Sequence, residues 1–278
     1  MKFWKFAFEH TNRVKDAIRL IQFARVGCND GPTHQSEEFR IKYSGRDLMI
    51  SLRRGTTDIG TFAEVFHEEI YLFPELFKPK VIIDIGANIG IASLYFSLTY
   101  PESQIYSFEP STENIKSFNK NIAENNRNNV TLMPYGLGGE DAELPLYQPN
   151  EGAFWGCSIY GSDLSKLVET VKIRSALSAF NELNIGDIDL LKIDCEGAEV
   201  DLLKSLGREN LSKIKVLIGE LHPEVSNSYE ALLLLSETHF VDCRKGYGDK
   251  CMHFIAVSRD LAFQELRQEL RIPLFVNS

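Results

Sequence analysis

Ionisable residues crowd two short stretches, Lys192-Ile193-Asp194-Cys195-Glu196 and Glu220-Leu221-His222, each at the end of an apolar run. Burying charge is costly unless the charge is paired or used. Lys192 and Asp194 alternate along the chain, as do Glu220 and His222, so each pair shares one face of an extended strand. Two neighbouring strand tips would bring Asp194, Glu196, Glu220 and His222 to one cleft. Such a set can move a proton. His222 or Asp194 would serve as the base, Glu196 would orient a hydroxyl, and Lys192 would bias the nearby acids toward ionisation. The plainer alternative is a Lys–Asp pair with helix-capping acids. A divalent ion on Asp194, Glu220 and His222 is the less favoured reading; the favoured one holds no metal.

A second constellation reads as a ligand turn. Val81-Ile82-Ile83-Asp84-Ile85 is an unbroken apolar run with one acid, as a strand buried on both faces requires. Gly86-Ala87-Asn88-Ile89-Gly90 then turns the chain into Ile91-Ala92-Ser93-Leu94-Tyr95-Phe96, which has helical spacing. Gly86 can adopt angles a Cβ forbids and admits a ligand to the main chain, and Gly90 lets helix and strand pack closely. A dinucleotide fingerprint is G-x-G-x-x-G and seats a pyrophosphate. Here the pattern is D-x-G-x-N-x-G, and Asp84 is poorly suited to a phosphate. It suits an amino group or a sulfonium, as in S-adenosylmethionine. Glu109-Pro110 closes the next strand, 25 positions after Asp84, where an acid can accept both ribose hydroxyls of an adenosine. The Gly136-Leu137-Gly138-Gly139 loop could lie against an adenine.

The elements that must position these groups follow in order. Residues 1 to about 27 read as helical, with Gly27 as a stop, and 28–38 as a loop. Phe39–Tyr43 and Leu48–Leu52 alternate around a Ser44-Gly45 turn, which predicts a β-hairpin. Thr57-Asp58 should cap a helix running through Phe66. Strands are expected near 104–110, 130–135, 188–194, 214–223, 240–243 and 251–257, with shorter ones at 144–147 and 171–174. Helices are expected at 111–126, after Cys195, at 229–235 and at 261–270. The aromatic, glycine-flanked stretch at 150–158 could line a pocket.

The chain has 278 residues and a formal net charge of −9, with 30 basic and 39 acidic residues. That balance disfavours nucleic acid as a partner. Its five cysteines are odd in number and form no C-x-x-C pair, which fits a reducing, cytoplasmic setting. No apolar run reaches the ~18 residues of a membrane span, and the N-terminus lacks a signal peptide's apolar core. The sequence leaves room for a homo-oligomer.

Four stretches together, 81–90, Phe108-Glu109-Pro110, Leu191-Lys192-Ile193-Asp194-Cys195-Glu196-Gly197-Ala198-Glu199 and Glu220-Leu221-His222, resemble the FkbM family of S-adenosylmethionine-dependent methyltransferases. The resemblance covers about residues 55–257, and Arg54-Gly55-Thr56-Thr57-Asp58 is similar to a lead-in of that family. Cys195 stands where the family usually has an aliphatic residue. The resemblance implies a class I methyltransferase fold (Rossmann-like): seven mostly parallel strands, the last antiparallel, with helices on both faces. The methyltransferase domain is expected over 55–278; the helical and hairpin extension read over 1–54 has no counterpart in that family, and its role is open. It implies O-methylation of a hydroxyl on a small molecule or glycan. Asp84, Gly86, Ala87, Asn88, Gly90, Glu109, Pro110 and Gly136 would then hold S-adenosylmethionine. The rival readings are a nicotinamide-dependent oxidoreductase and a non-catalytic adaptor with the same fold.

Overall fold

The computed structural model describes residues 3–11, 13–26, 35–73, 77–149, 157–161, 165–245 and 251–264. Gly27, most of the aromatic stretch at 150–158, the Gly246-Tyr247-Gly248 turn and the second half of the last expected helix lie outside them.

Two helices, α1 (Phe3–His10) and α2 (Val14–Val26), replace the single helix expected at the N-terminus. The break falls at Thr11, whose hydroxyl donates to the Ala7 carbonyl at 2.8 Å. The hairpin follows as β1 (Ser36–Tyr43) and β2 (Arg46–Arg53). Next come α3 (Asp58–Phe62) and a π-turn over Ala63–His67. Thr57 makes no side-chain cap; the Asp58 N–H donates to Thr56 Oγ1 instead.

The main sheet uses β3 (Val81–Ile85), β4 (Gln104–Phe108), β5 (Val130–Met133), β9 (Ile188–Ile193), β10 (Ile214–Leu221), β11 (His239–Lys245) and β12 (Met252–Ser258). Its order is β11-β12-β10-β9-β3-β4-β5, and β12 runs antiparallel to both neighbours. The other neighbouring pairs are parallel. This is the class I methyltransferase arrangement. Between them run α4 (Ile91–Thr99), α5 (Thr112–Glu124), α6 (Ala176–Glu182), α7 (Glu199–Leu211), α8 (Ser228–Ser236) and α9 (Arg259–Gln264). The sequence pattern had not suggested α6.

Strand alternation explains the layering. Ile82, Leu190 and Val216 face one side, where they pack in one cluster with Phe6, Leu20, Phe62, Phe66 and Tyr95. Ile83, Leu191 and Leu217 face the other, with Leu203 of α7 and Leu235 of α8. The N-terminal helices and hairpin thus share a core with the sheet.

The hairpin docks through its backbone as well. An edge strand leaves open hydrogen-bonding groups. Asn125 Oδ1 accepts the Met49 N–H at 3.0 Å, and its amide returns a bond to the Met49 carbonyl at 2.7 Å. Asn121 does the same for Ser51, at 2.8 and 3.3 Å. Four helical residues advance about 6 Å and two strand residues about 6.8 Å, so the spacings match.

A smaller sheet, in the order β6-β8-β7, is built from β6 (Gly136–Gly138), β7 (Ala142–Pro149) and β8 (Ser165–Ser175), with β6 against α6 and α7. The glycine run at 136–138 is therefore a strand paired to Ile173–Ser175, not a free loop.

Candidate active site

A cavity opens over the carboxyl ends of β3, β4, β9 and β10, where open α/β sheets bind ligands. Of the residues expected to hold a cofactor, Gly86, Ala87, Asn88, Glu109, Pro110 and Gly136 line it. Asp84 and Gly90 do not.

Asp84 requires a correction. Its side chain has no exposed surface, accepts a 2.5 Å bond from the Ser93 hydroxyl and lies 3.2 Å from Lys192 Nζ. The cation it faces is Lys192, not a ligand. Gly90 serves packing: it has φ +84°, and a Cβ there would meet the Phe118 ring at 2.8 Å. Gly86, at φ +73°, has its own neighbour, because a Cβ would stand 1.7 Å from the Asp194 carbonyl oxygen. The glycine permits two strand tips to touch.

Lys192 ties the same tips together. Its ammonium donates to the Gly86 carbonyl at 2.9 Å and the Ile85 carbonyl at 3.3 Å, with Asp194 at 3.6 Å. Burial opposes its charge, but Asp84 and then Asp194 outweigh burial and hold it above the ordinary lysine range.

At one end of the cavity, Glu109 is 5% exposed. Its Oε2 accepts the Asn88 N–H at 2.8 Å, and its Oε1 accepts the Ser111 N–H at 2.9 Å and the Asn114 amide at 3.0 Å. Burial raises its pKa, and the three donors pull it back. Arg53, which the sequence reading missed, braces this group. It forks onto Asp58 at 2.8 and 2.9 Å and donates to Asn114 Oδ1 at 2.8 Å. The adjacent Arg54, read as part of the lead-in, turns away to Glu37. One residue of strand alternation decides which arginine faces inward, and a motif match carries no such phase.

At the opposite end, Lys192, Asp194 and Glu196 line the cavity and His222 does not. His222 Nδ1 lies 2.9 Å from Glu199 Oε1, and Nε2 lies 3.3 Å from Glu196 Oε2. Burial disfavours its charge, but Glu199, then Glu196 and Asp194, raise its pKa to about 10. Both ring nitrogens of the histidine expected as a base thus face carboxyl groups, and the ring stands behind Glu196 rather than on the cavity wall. Glu199 also accepts the Gly197 N–H at 2.9 Å, fixing the turn that carries Glu196. Ser158 donates to the Glu196 carbonyl at 2.6 Å from the other side. Burial and Asp194 push the Glu196 carboxyl up to about 8.

Glu220 faces His253 at 3.4 Å, and burial and Asp194 raise its pKa to about 7. Glu64 on the π-turn also lines the cavity, a position no sequence pattern marked. Asp194, Glu220 and His222 do gather, with candidate ligand atoms within 4.8 Å of one another. Lys192 and His222 already set two positive charges among these acids.

The chain is similar to known proteins over most of this region. A family model described as the methyltransferase FkbM domain matches residues 84–268. "Methyltransferase 1" of Beauveria bassiana is 30% identical over 206 residues, covering 64% of this chain and 80% of that one. "Methyltransferase sdnD" of Sordaria araneosa is 27% identical over 188 residues, covering 57% and 73%. Among solved structures, the O-methyltransferase from Bacillus cereus in complex with SAH aligns with a TM-score of 0.45 at 11% identity, over 88% of this chain and 92% of that one. No helix among the described residues is long and apolar enough to cross a membrane.

Proposed function

Since this chain belongs to the FkbM methyltransferase family, we propose that it moves a methyl group from S-adenosylmethionine to a hydroxyl oxygen of a sugar or secondary metabolite. The observation that carries this reading is one cavity joining a glycine turn, a strand-tip glutamate and a set of acids at the far end. The residues fit the cofactor. Gly86, Ala87 and Asn88 border the cavity, and Glu109, bonded to the Asn88 N–H beside them, stands ready for an adenosine ribose. Glu109 still has a lone pair on Oε2, beyond the single Asn88 bond that oxygen accepts. When bound, the cofactor supplies a methyl group on a positively charged sulfur, whose bonding pair returns to sulfur as the acceptor oxygen takes the methyl.

The protein's part is alignment, which can contribute ~7–11 kcal/mol, and removal of the hydroxyl proton. Glu196 takes that proton. Its pKa of about 8 lies near an ordinary working pH, where a base is most effective. Asp194 orients the acceptor, so these two residues exchange the roles first expected. His222 steadies Glu196, and Lys192 fixes Asp194 against the turn. The assay is transfer of labelled methyl to a panel of hydroxylated acceptors, with product connectivity read by NMR. Methyl found on nitrogen or carbon would overturn the O-methylation reading. Full turnover in Glu196→Gln, where a loss of roughly 10²–10⁴-fold is expected, would overturn the base assignment.

A further inference from the structure

Among the described residues, five carboxylates stand on the cavity wall, Glu64, Glu109, Asp194, Glu196 and Glu220, against two cations, Arg53 and Lys192. Both cations are engaged within the protein. Arg53 forks onto Asp58, and Lys192 is shared among Asp84, Asp194 and two backbone carbonyls. Glu109 is held by three donors and Glu196 faces His222. Glu64, Asp194 and Glu220 complete the acidic lining, from the π-turn, the tip of β9 and the end of β10; ligand atoms of Asp194 and Glu220 lie within 4.8 Å of each other, and Glu220 also shares a hydrogen bond with Cys251. Lys192 lies 3.6 Å from Asp194 and nearer to Asp84, so Asp194 is only partly matched. His253 does not neutralise Glu220, because burial lowers its pKa. Burial and then the charges of Glu220, Asp194 and Glu68 push the Glu64 carboxyl up to about 8. Negative charge gathered in a low-dielectric pocket is relieved by a cation placed among the acids.

The position of that cation follows from the contact between strand tips. Asp194 abuts the glycine turn, its carbonyl oxygen 1.7 Å from where a Gly86 Cβ would be. Glu64, Asp194 and Glu220 line the same cavity as Gly86, Ala87 and Asn88, the turn read above as the cofactor's seat. Resting on the cofactor reading above, we propose that Glu64, Asp194 and Glu220 form a charge-reading seat, so that the protein binds sulfonium-bearing S-adenosylmethionine in preference to neutral S-adenosylhomocysteine. Glu64 is a specificity-determining residue that the π-turn brings to the wall. Methyl transfer removes the charge that the seat holds and so speeds product release.

Calorimetry on the full chain, with each of the two ligands and no acceptor, tests this. Wild type should bind S-adenosylmethionine roughly tenfold more tightly than S-adenosylhomocysteine, about 1.4 kcal/mol. Glu64→Gln should reduce that preference by about threefold or more while leaving S-adenosylhomocysteine affinity unchanged. Glu220→Gln is the second variant, and thermal unfolding and far-ultraviolet circular dichroism of both variants show that they are folded. Equal affinities in wild type, or a preference that neither substitution moves, would overturn the seat and leave the cofactor reading standing. Wild type that binds neither ligand would overturn both.

Discussion

The carbonyl oxygen of Asp194 fills the space that a side chain at Gly86 would need, 1.7 Å from an ideal Cβ. The obstacle is backbone, so it cannot rotate aside, and Gly86 also holds φ +73°. Gly86→Ala should destabilise the protein by roughly 3 kcal/mol or more, because overpacking and left-handed strain add. Urea unfolding measures this, and loss of S-adenosylhomocysteine binding should accompany it. A variant as stable as wild type would mean that the two strand tips are not locked together.

His222→Ala leaves Glu199, which has no exposed side-chain surface, without its cation. Removing one partner of a buried pair costs about 3 kcal/mol or more. The pH dependence is specific. His222 is raised from 6.5 to about 10, so its stabilisation is fully present below pH 6.5 and is lost as pH rises through about 10. Unfolding at pH 6.5 and at pH 10.5 should show the gap between wild type and variant narrowing at the higher pH.

Glu64→Gln should act in the opposite direction on the ligand-free protein. The carboxyl is raised from 4.5 to about 8. Between those values the folded state keeps a proton that the unfolded state has released, so wild type loses stability as pH rises. The variant should match wild type near pH 4.5 and exceed it by about 1–2 kcal/mol at pH 8.5. Thermal unfolding across that range reads the difference. Parallel curves would show that Glu64 is not buried among like charges.

Arg53→Lys keeps the charge and removes the fork. A lysine cannot reproduce two parallel bonds to Asp58 together with the one to Asn114. Stability should fall by about 1–3 kcal/mol. S-adenosylhomocysteine affinity should fall too, because Asn114 and Glu109 lose their brace. Unchanged affinity would place the arginine in folding alone.

Methyl transfer should survive exhaustive chelation. Lys192 and His222 already supply positive charge beside Asp194 and Glu196. Activity abolished by chelator and restored by a divalent ion would return Asp194, Glu220 and His222 to the role of ligands.

The main sheet was legible because its strands are apolar runs bounded by glycine, proline or acids. Val81–Ile85 and Ile188–Ile193 advertise burial on both faces. The site was legible as a set of positions and not as a set of directions. Periodicity places Asp84 at a strand tip, but only packing shows that it turns inward to Lys192. A histidine beside acids reads as a base until its two nitrogens are seen to be occupied. Glu64 left no signal, since one extra residue in a helical turn changes which side chain faces in without changing the composition. Arg53 and Arg54 are adjacent and chemically identical, so strand phase alone separates them.

Helix α5 works at both ends. Asn114 near its start serves Glu109, while Asn121 and Asn125 stand in for a missing strand alongside β2. The two jobs are joined rather than divided. Asn114 also accepts from Arg53 of β2 at 2.8 Å, and the Asn121 amide also donates to the Ile89 carbonyl of the glycine turn at 2.9 Å. A hairpin tied by the same helix to both the turn and Glu109 is therefore a splint for the cavity rim, and a change that loosens the hairpin should be felt at the turn.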